Sequence, residues 1–367
     1  MQDKKNVLHL AKTSLAGAPI RIVEALNKYT NYSARLATYL PITLPNGEYM
    51  FREDITWQNP KQRSELLELA KNADIIHMHH YMNTDLTNPF MIDFNKITKP
   101  TCKILRHFHS SHSYIAKTEI RFEDNYQKDN LPKVVIPHYP ERTFMNLDIV
   151  PNIIPIKEPL YMPCETNNTK LKIVYSASNK ASRKSDRWAT KGYPEVSAVL
   201  KQLSEKYDFE YIEINNLTFT KAMEIKKQAD IVIGDVVTGS YHLTELEALS
   251  QGKPTITYLD GRSVMTFMNT FKTQDIPFIN ANIDSLEQVI SDLISDREFL
   301  KQIGKFSRAW IEKYYDDSVL INKFVEIYDK ILENKDITRE NTKEFYHVKE
   351  FLYNTVYDYD WKRTANN

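Results

Sequence analysis

Between Asp235 and Pro254 the chain reads DVVTGSYHLTELEALSQGKP, a set of residue types that could hold a phosphorylated ligand. Thr238, Gly239 and Ser240 are small enough to turn backbone N–H groups toward a phosphate where a helix opens. Glu247 lies further along that helix, and a carboxylate there can accept hydrogen bonds from two hydroxyls, such as those of a ribose. The pattern alone leaves a second reading open, a surface helix that carries Glu245 and Glu247 into solvent. A second cluster, SASNKASRKSDRWATKGYPEV, supplies Lys180, Arg183, Lys184, Arg187 and Lys191, then Gly192 just before a helix. Fixed positive charge of this density suits a diphosphate leaving group, whose negative charge grows as it departs. A solvated basic loop is the plainer alternative.

Two further runs, HMHH (His77 to His80) and HFHS (His107 to Ser110), invite a metal reading. Alternation along a strand puts only His77 with His79, or His107 with His109, on one face. With no Cys or His partners at finger spacing, no metal site is expected. There is no GxGxxG, no GxxxxGK[ST] and no GxSxG, which weighs against a dinucleotide oxidoreductase, a P-loop enzyme and a serine hydrolase of the elbow type. The DYD near the C-terminus sits in a tyrosine-rich tail and reads as structural.

The elements that must position these groups alternate along the chain. NVLHLA, DIIHMHH, CKILRHFHS and KVVIPH read as strands, separated by helices such as GAPIRIVEALNKY and RSELLELAKNA. The stretch DIVPNIIPIKEPLYMP carries Pro151, Pro155, Pro159 and Pro163 and reads as a linker. Beyond it the alternation restarts with LKIVYSAS, FEYIEI, DIVIGD and PTITYL as strands. Strands separated by helices imply parallel, doubly wound α/β sheets. Three parts are expected: 1–155, 156–335, and a tail 336–367. The tail's stripe of Phe345, Val348, Phe351, Leu352 and Val356 would dock it back on the body.

The 367 residues suit two domains, and 48 basic against 48 acidic residues leave no net field to attract nucleic acid. Cys102 and Cys164 show no pairing pattern, which fits a reducing cytoplasm. No apolar run approaches the ~18–20 residues of a membrane span, and no signal peptide is evident. FHSSHSYIAKTEIRF and MTFMNTFK mix aromatic and basic residues as a peripheral membrane contact would, though core edges with solvated charges are the favoured reading of each. Only eight glycines occur, so each is expected where the backbone needs it.

Taken together, ADIVIGDVVTGSYHLTELEALSQGKPTITY resembles the donor-site segment of retaining GT-B glycosyltransferases, in particular glycosyltransferase family 4. IVYSASNK…ATKGYPEV is similar to that family's strand, basic residue and Lys-Gly loop, and LHLAKTSLAGAPIRIVEALN to its opening strand, glycine loop and helix. ADIIHMHHY, RHFHSS and VPNIIP match weaker positions of its first domain. The resemblance covers nearly the whole chain.

It implies two Rossmann-like domains facing a central cleft, the first binding acceptor and the second a UDP- or GDP-linked sugar. Glu247 would bind the ribose hydroxyls. Lys191, with Arg187, Arg183 or Lys180, would neutralise the departing diphosphate without a metal. Gly17 would let backbone approach the donor phosphate or acceptor, and His109 would lie against the transferred sugar. The family's first Glu, eight residues before Glu247, is Gly239 here. Ser240, Tyr241, His242 or backbone N–H groups must then contact the sugar. The loop between Lys180 and Lys191 is also longer than usual. The implied reaction retains anomeric configuration by front-face displacement, with a saccharide or lipid-linked saccharide as acceptor in surface polysaccharide or glycoconjugate synthesis. The alternatives are a transferase that glycosylates modified DNA bases, a non-catalytic saccharide- or partner-binding protein of this fold, and, more distantly, a sugar-nucleotide epimerase.

Overall fold

A computed structural model of the chain describes residues 4–111, 115–116, 119, 122–126, 128–138, 144, 147–176 and 190–338. It divides into two compact units. Among the described residues, the first comprises those up to Ile153 and those from Asp317 to 338; the second runs from Ile154 to Asp316.

The first unit is built on seven parallel strands: β1 (Lys5–Ala11), β2 (Tyr32–Thr38), β3 (Ile55–Thr56), β4 (Ile75–His79), β5 (Lys103–Phe108), β6 (Lys133–Val135) and β7 (Asp148–Ile149). Their order is β3-β2-β1-β4-β5-β6-β7, so the winding reverses beside β1. β1 is apolar because it is central, with Val7 to Ala11 all buried. β2 escapes a search for apolar runs because Ser33 and Arg35 interrupt it, although Tyr32, Ala34 and Leu36 pack in one core cluster and Ala37 in another. Helix α1 (Ala18–Tyr29) starts from Gly17 and ends where the Thr30 N–H and hydroxyl both donate to the Leu26 carbonyl. Among the described residues before Ile153 are also helices α2 (Pro60–Asn72), α3 (Phe94–Ile97) and α4 (Phe122–Tyr126).

The second unit carries β8 (Leu171–Ser176), β9 (Phe209–Ile214), β10 (Ile231–Ile233), β11 (Thr255–Thr257) and β12 (Ile279–Asn280), all parallel, in the order β12-β11-β10-β8-β9. Its helices are α5 (Tyr193–Ser204), α6 (Phe219–Lys227), α7 (Leu243–Ser250), α8 (Gly261–Phe271), α9 (Leu286–Ser295) and α10 (Arg297–Tyr314). Val196, Leu200 and Leu203 of α5 and Ile290 and Leu293 of α9 bury one sheet face with Ile173, Ile231 and Ile256.

The sequence reading carried the second domain to 335, but that unit closes at Asp316. The reason is α11 (Asp317–Leu332), whose Ile321, Phe324, Ile327, Tyr328 and Ile331 fill the first unit's core beside Ile22, Val23 and Leu26. The tail stripe expected to return lies outside the described residues. The proline-rich connection is fixed to the second unit beyond Ile154, because Arg308 of α10 donates to the carbonyls of Ile156 and Tyr161 at 3.2 Å each. MTFMNTFK does not form a membrane-facing patch: it lies in α8, where Met265, Phe267 and Phe271 are buried. Of the other stretch considered for that role, Phe108, Ile115 and Phe122 are core residues. No described helix is long and apolar enough to cross a membrane.

Candidate functional site

In an open parallel sheet, ligands bind beyond the C-terminal strand ends where the strand order reverses. In the second unit that place lies between β8 and β10. A hollow of about 800 Å³ at the opposite, N-terminal strand ends, lined by Leu171, Asp230 and Pro254, is therefore not the first candidate.

After β10 the chain runs through Gly234 and Asp235 to His242 and enters α7. This loop is held from both ends by Glu245, whose carboxylate accepts the Asp235 N–H at 2.8 Å and the His242 N–H at 2.9 Å. Glu245 is thus fully buried and is not the solvated residue of a surface helix. Asp235 organises the loop from within. Its Oδ1 accepts the N–H groups of Val237 and Thr238, both at 2.9 Å, and its Oδ2 accepts the Thr238 hydroxyl at 2.7 Å. His242 Nε2 lies 3.0 Å from the same Oδ2, and the Lys191 ammonium 3.8 Å from it. Burial alone would raise the Asp235 carboxyl, but the hydrogen bond and charge of His242, then Lys191 and Thr238, hold it well below the usual carboxylate range. The sequence reading missed Asp235, whose signal was an acid one residue after a strand-ending glycine.

The sign of the pH dependence follows. A carboxyl depressed in the folded state stabilises the fold fully above its unfolded value, near 3.8, and loses that contribution as pH falls toward the folded value. Asp235→Asn is expected to flatten the acid limb of a stability-against-pH curve below pH ~4 while shifting the neutral plateau down. An unchanged acid limb in urea unfolding would remove Asp235 from this role.

Lys191 and Gly192 both take left-handed backbone angles, φ 53° and 78°, and Gly192 caps the N-terminus of α5. Lys191 is held in a conformation that costs a non-glycine residue of order 1 kcal/mol. A Cβ at Gly192 would come within 2.9 Å of Val237, so the Lys-Gly turn packs directly on the β10 loop. The helix N-terminus and the Lys191 ammonium, 28% exposed, are both favourable to an anion. Lys180, Arg183 and Arg187, the other candidate diphosphate ligands, lie outside the described residues.

Gly239 has φ 75°, and a Cβ there would meet Asp260 Oδ2 at 2.9 Å. The absence of the expected first Glu thus has a local cause, since the backbone is left-handed and an acid from the β11–α8 turn occupies the space beside it. Asp260 also accepts the Ser263 N–H at 2.9 Å and pairs with Arg262 at 3.2 Å. Gly239→Ala should cost about 1–2 kcal/mol from the backbone alone, with crowding added, read as a lower midpoint in chemical unfolding. A wild-type midpoint would show that the turn relaxes freely.

The remaining predicted donor residues fall in two groups. Ser240 is fully buried, with no hydrogen-bond partner for its hydroxyl among the described residues. Tyr241 is buried, with its ring centre 5.2 Å from that of Phe267 and 5.4 Å from that of Phe278. Glu247 is also interior, at 5% exposure, with its carboxylate in an ion pair with the buried Lys226 ammonium. Lys226 further donates to the Thr244 hydroxyl at 3.2 Å.

In the first unit, Gly17 closes a turn after β1 in which Leu15, Ala16 and Gly17 all have left-handed angles. Ser14 steadies that turn, its hydroxyl donating to Glu53 at 2.5 Å and accepting the Ile42 N–H at 3.0 Å. His109 follows β5 directly, and its Nε2 lies 2.8 Å from His79 Nδ1. Burial, with His80 and His9 nearby, holds the His109 imidazole well below its ordinary value, so the ring is neutral at pH 7. Gly17 and His109 belong to the first unit, and Lys191, Gly239, Ser240 and Glu247 to the second.

No family model and no curated protein matches the chain. Solved structures do. An alpha-glucosyltransferase in complex with UDP and a 13-mer DNA aligns at a TM-score of 0.60 and 11% identity, covering 90% of this chain and 100% of that one. A glycosyltransferase from Rickettsia africae ESF-5 aligns at 0.57 and 15%, covering 91% and 100%. Anabaena HepE in complex with UDP aligns at 0.55 and 12%, covering 89% and 100%. At these identities the likeness establishes the fold, two parallel-sheet α/β domains of the GT-B type.

Proposed function

We propose that the protein is a glycosyltransferase that moves a sugar from a nucleotide-sugar donor to an acceptor hydroxyl with retention. The observation that carries this reading is the Lys191–Gly192 turn seated against the Asp235 loop at the switch point of the second sheet. It joins an ammonium and a helix N-terminus beyond the strand ends, which suits a nucleoside diphosphate.

In this reading Lys191 takes up charge on the leaving diphosphate, with Lys180, Arg183 and Arg187 as further cations. Glu247 faces the ribose and His109 acts at the transferred sugar. Asp260 supplies a carboxylate near the place where the resembling family has its first Glu. No carboxylate nucleophile is assigned, and the departing diphosphate oxygen takes the acceptor's proton as the new glycosidic bond forms on the same face. The folds solved with UDP make a uridine donor the first to try. A saccharide or lipid-linked saccharide is the proposed acceptor. The DNA-bound glucosyltransferase raises a second reading, glycosylation of DNA bases. The balance of 48 basic and 48 acidic residues argues against it, because duplex binding depends on neutralising phosphates.

The test is thermal unfolding with UDP-, GDP-, ADP- and CMP-sugars, comparing wild type with Lys191→Ala. A donor at 100 times its Kd adds about 2.7 kcal/mol, which registers as a clear shift. A shift with one nucleotide that shrinks in the variant supports the site. No shift with any of them removes the transferase reading.

A further inference from the structure

Of the ten histidines in the sequence, six come together at the C-terminal end of the first sheet. The register explains how. His9 of β1 lies opposite His77 of β4, and His79 of β4 opposite His107 of β5, so alternation brings these rings to one face. His109 continues that face one step beyond β5, and α11 covers the inner part with Phe324 and Tyr328. Rings that look unrelated in the sequence, separated into HL, HMHH and HFHS, become neighbours through parallel pairing.

Their nitrogens are unevenly satisfied. Tyr328 Oη lies 2.7 Å from His77 Nδ1 and 3.3 Å from His9 Nε2, His9 Nδ1 lies 3.0 Å from His79 Nε2, and His79 Nδ1 lies 2.8 Å from His109 Nε2. This is a connected chain, and within it only His77 Nε2 is buried without a partner among the described residues. His107 stands outside it. Its ring is fully buried, 3.9 Å from the His109 ring centre, and neither nitrogen has a hydrogen-bond partner among the described residues. Buried polar groups without partners are rare, and a bound ion or water is one way in which such nitrogens are satisfied. His79, His107 and His109 each offer a nitrogen within 4.8 Å of the other two.

We propose that His79, His107 and His109 form a site for a divalent transition-metal ion of the zinc class. Three neutral imidazoles without a thiolate or carboxylate suit zinc, cobalt, nickel or copper and not magnesium or calcium. The two nitrogens that now share one proton, on His79 and His109, would instead share the ion. The one shared proton relocates within its own ring, so that His79 carries its proton on Nε2, toward His9 Nδ1, and His109 on Nδ1, while His9 carries its own on Nε2, toward Tyr328 Oη. His9 and Tyr328 then hold the His79 ring and its tautomer from behind, as the outer partners of metal-bound histidines do. His109, partly exposed, gives the ion a route in and leaves a fourth position for water or an anion. Lys12, whose charge is felt at His80, is itself paired with Glu119 at 3.1 Å. The proposal departs from the expectation that pairs of strand histidines hold no metal, an expectation that could not anticipate the β4–β5 register.

The test uses the full chain, stripped with chelator and titrated with Co²⁺ alone, followed by displacement with Zn²⁺ and elemental analysis. One equivalent with visible d–d bands of a nitrogen-rich, low-coordinate site is expected. His107→Phe, which fills the same space, should abolish the bands, and His9→Phe should weaken binding about 10–100-fold. Cys102→Ser with Cys164→Ser should leave binding intact. A wild-type protein that is folded by circular dichroism yet gives no bands and retains no zinc overturns the proposal, as does undiminished binding in a folded His107→Phe. Loss of binding in the cysteine variant overturns it too, since the ion would then sit elsewhere.

Discussion

Replacing Glu247 by alanine is expected to destabilise the protein by about 3–5 kcal/mol, among the largest costs a single substitution produces. The reason is the partner left behind. The Lys226 ammonium is 3% exposed, and its hydrogen-bonding company among the named contacts is the Glu247 carboxylate and the Thr244 hydroxyl. Without the carboxylate, a charge remains interior with one neutral acceptor, and desolvation outweighs what that hydroxyl returns. Replacing both members, Lys226→Met with Glu247→Leu, should recover most of the loss, because a matched apolar pair of similar volume is often as stable as the ions. Urea unfolding of the two singles and the double measures the coupling. A single Glu247→Ala within about 1 kcal/mol of wild type would show that water reaches Lys226 and that the pair is not interior. The result bears on function as well. Loss of nucleotide binding in Glu247→Ala would not by itself place the ribose there, so Glu247→Gln, which keeps an acceptor for Lys226, is the cleaner ligand probe.

Lys191→Gly is expected to lower the rate of sugar transfer by about 10²–10³-fold while leaving the fold at least as stable as Lys191→Ala. The first effect is the loss of a fixed positive charge where the diphosphate develops its own. The second comes from φ 53°, an angle glycine adopts without strain and alanine does not. The two measurements together separate a reacting residue from a structural one. A structural lysine would lose stability in both variants, and its removal would change the rate only through unfolding. A transfer rate within a few-fold of wild type would assign the diphosphate to the cations between Lys180 and Arg187. Lys191→Arg should restore little, since the planar guanidinium on this strained turn reaches Asp235 differently from a compact ammonium.

Much of the fold was legible because it rests on periodicity. The apolar β1, β4, β8 and β10 and the amphipathic α1, α5 and α9 all stand in the sequence as short runs or helical stripes. β2 was not, since an alternating strand with Ser33 and Arg35 on its outer face resembles loop. The destination of α11 was not either, because an apolar stripe states that a helix packs and not on what. At the site, the Lys-Gly turn and the Gly239 turn were visible as residue types. What was hidden is pairing over distance: Asp235 to Lys191 across some forty residues, Asp260 beside Gly239, and the histidine register. The packing of the Tyr241 ring on Phe278 was equally hidden, since a residue beside a turn gives no sign of where its side chain goes.

The placement of α11 has a consequence for how the chain is made. Synthesis proceeds from the N-terminus, yet the first unit needs Ile321, Phe324 and Ile327 against Ile22 and Leu26 to close its core. While residues 154–316 emerge, the earlier half waits on the ribosome with that apolar groove uncovered. The later segment, contiguous in sequence, can finish first. A fragment ending at Asp316 should therefore hold a folded second unit attached to an unfinished first one, prone to chaperone capture and proteolysis. Supplying a peptide of residues 317–338 in trans should protect the first unit, and protection without it would mean that the first unit's fold is complete before its last helix arrives.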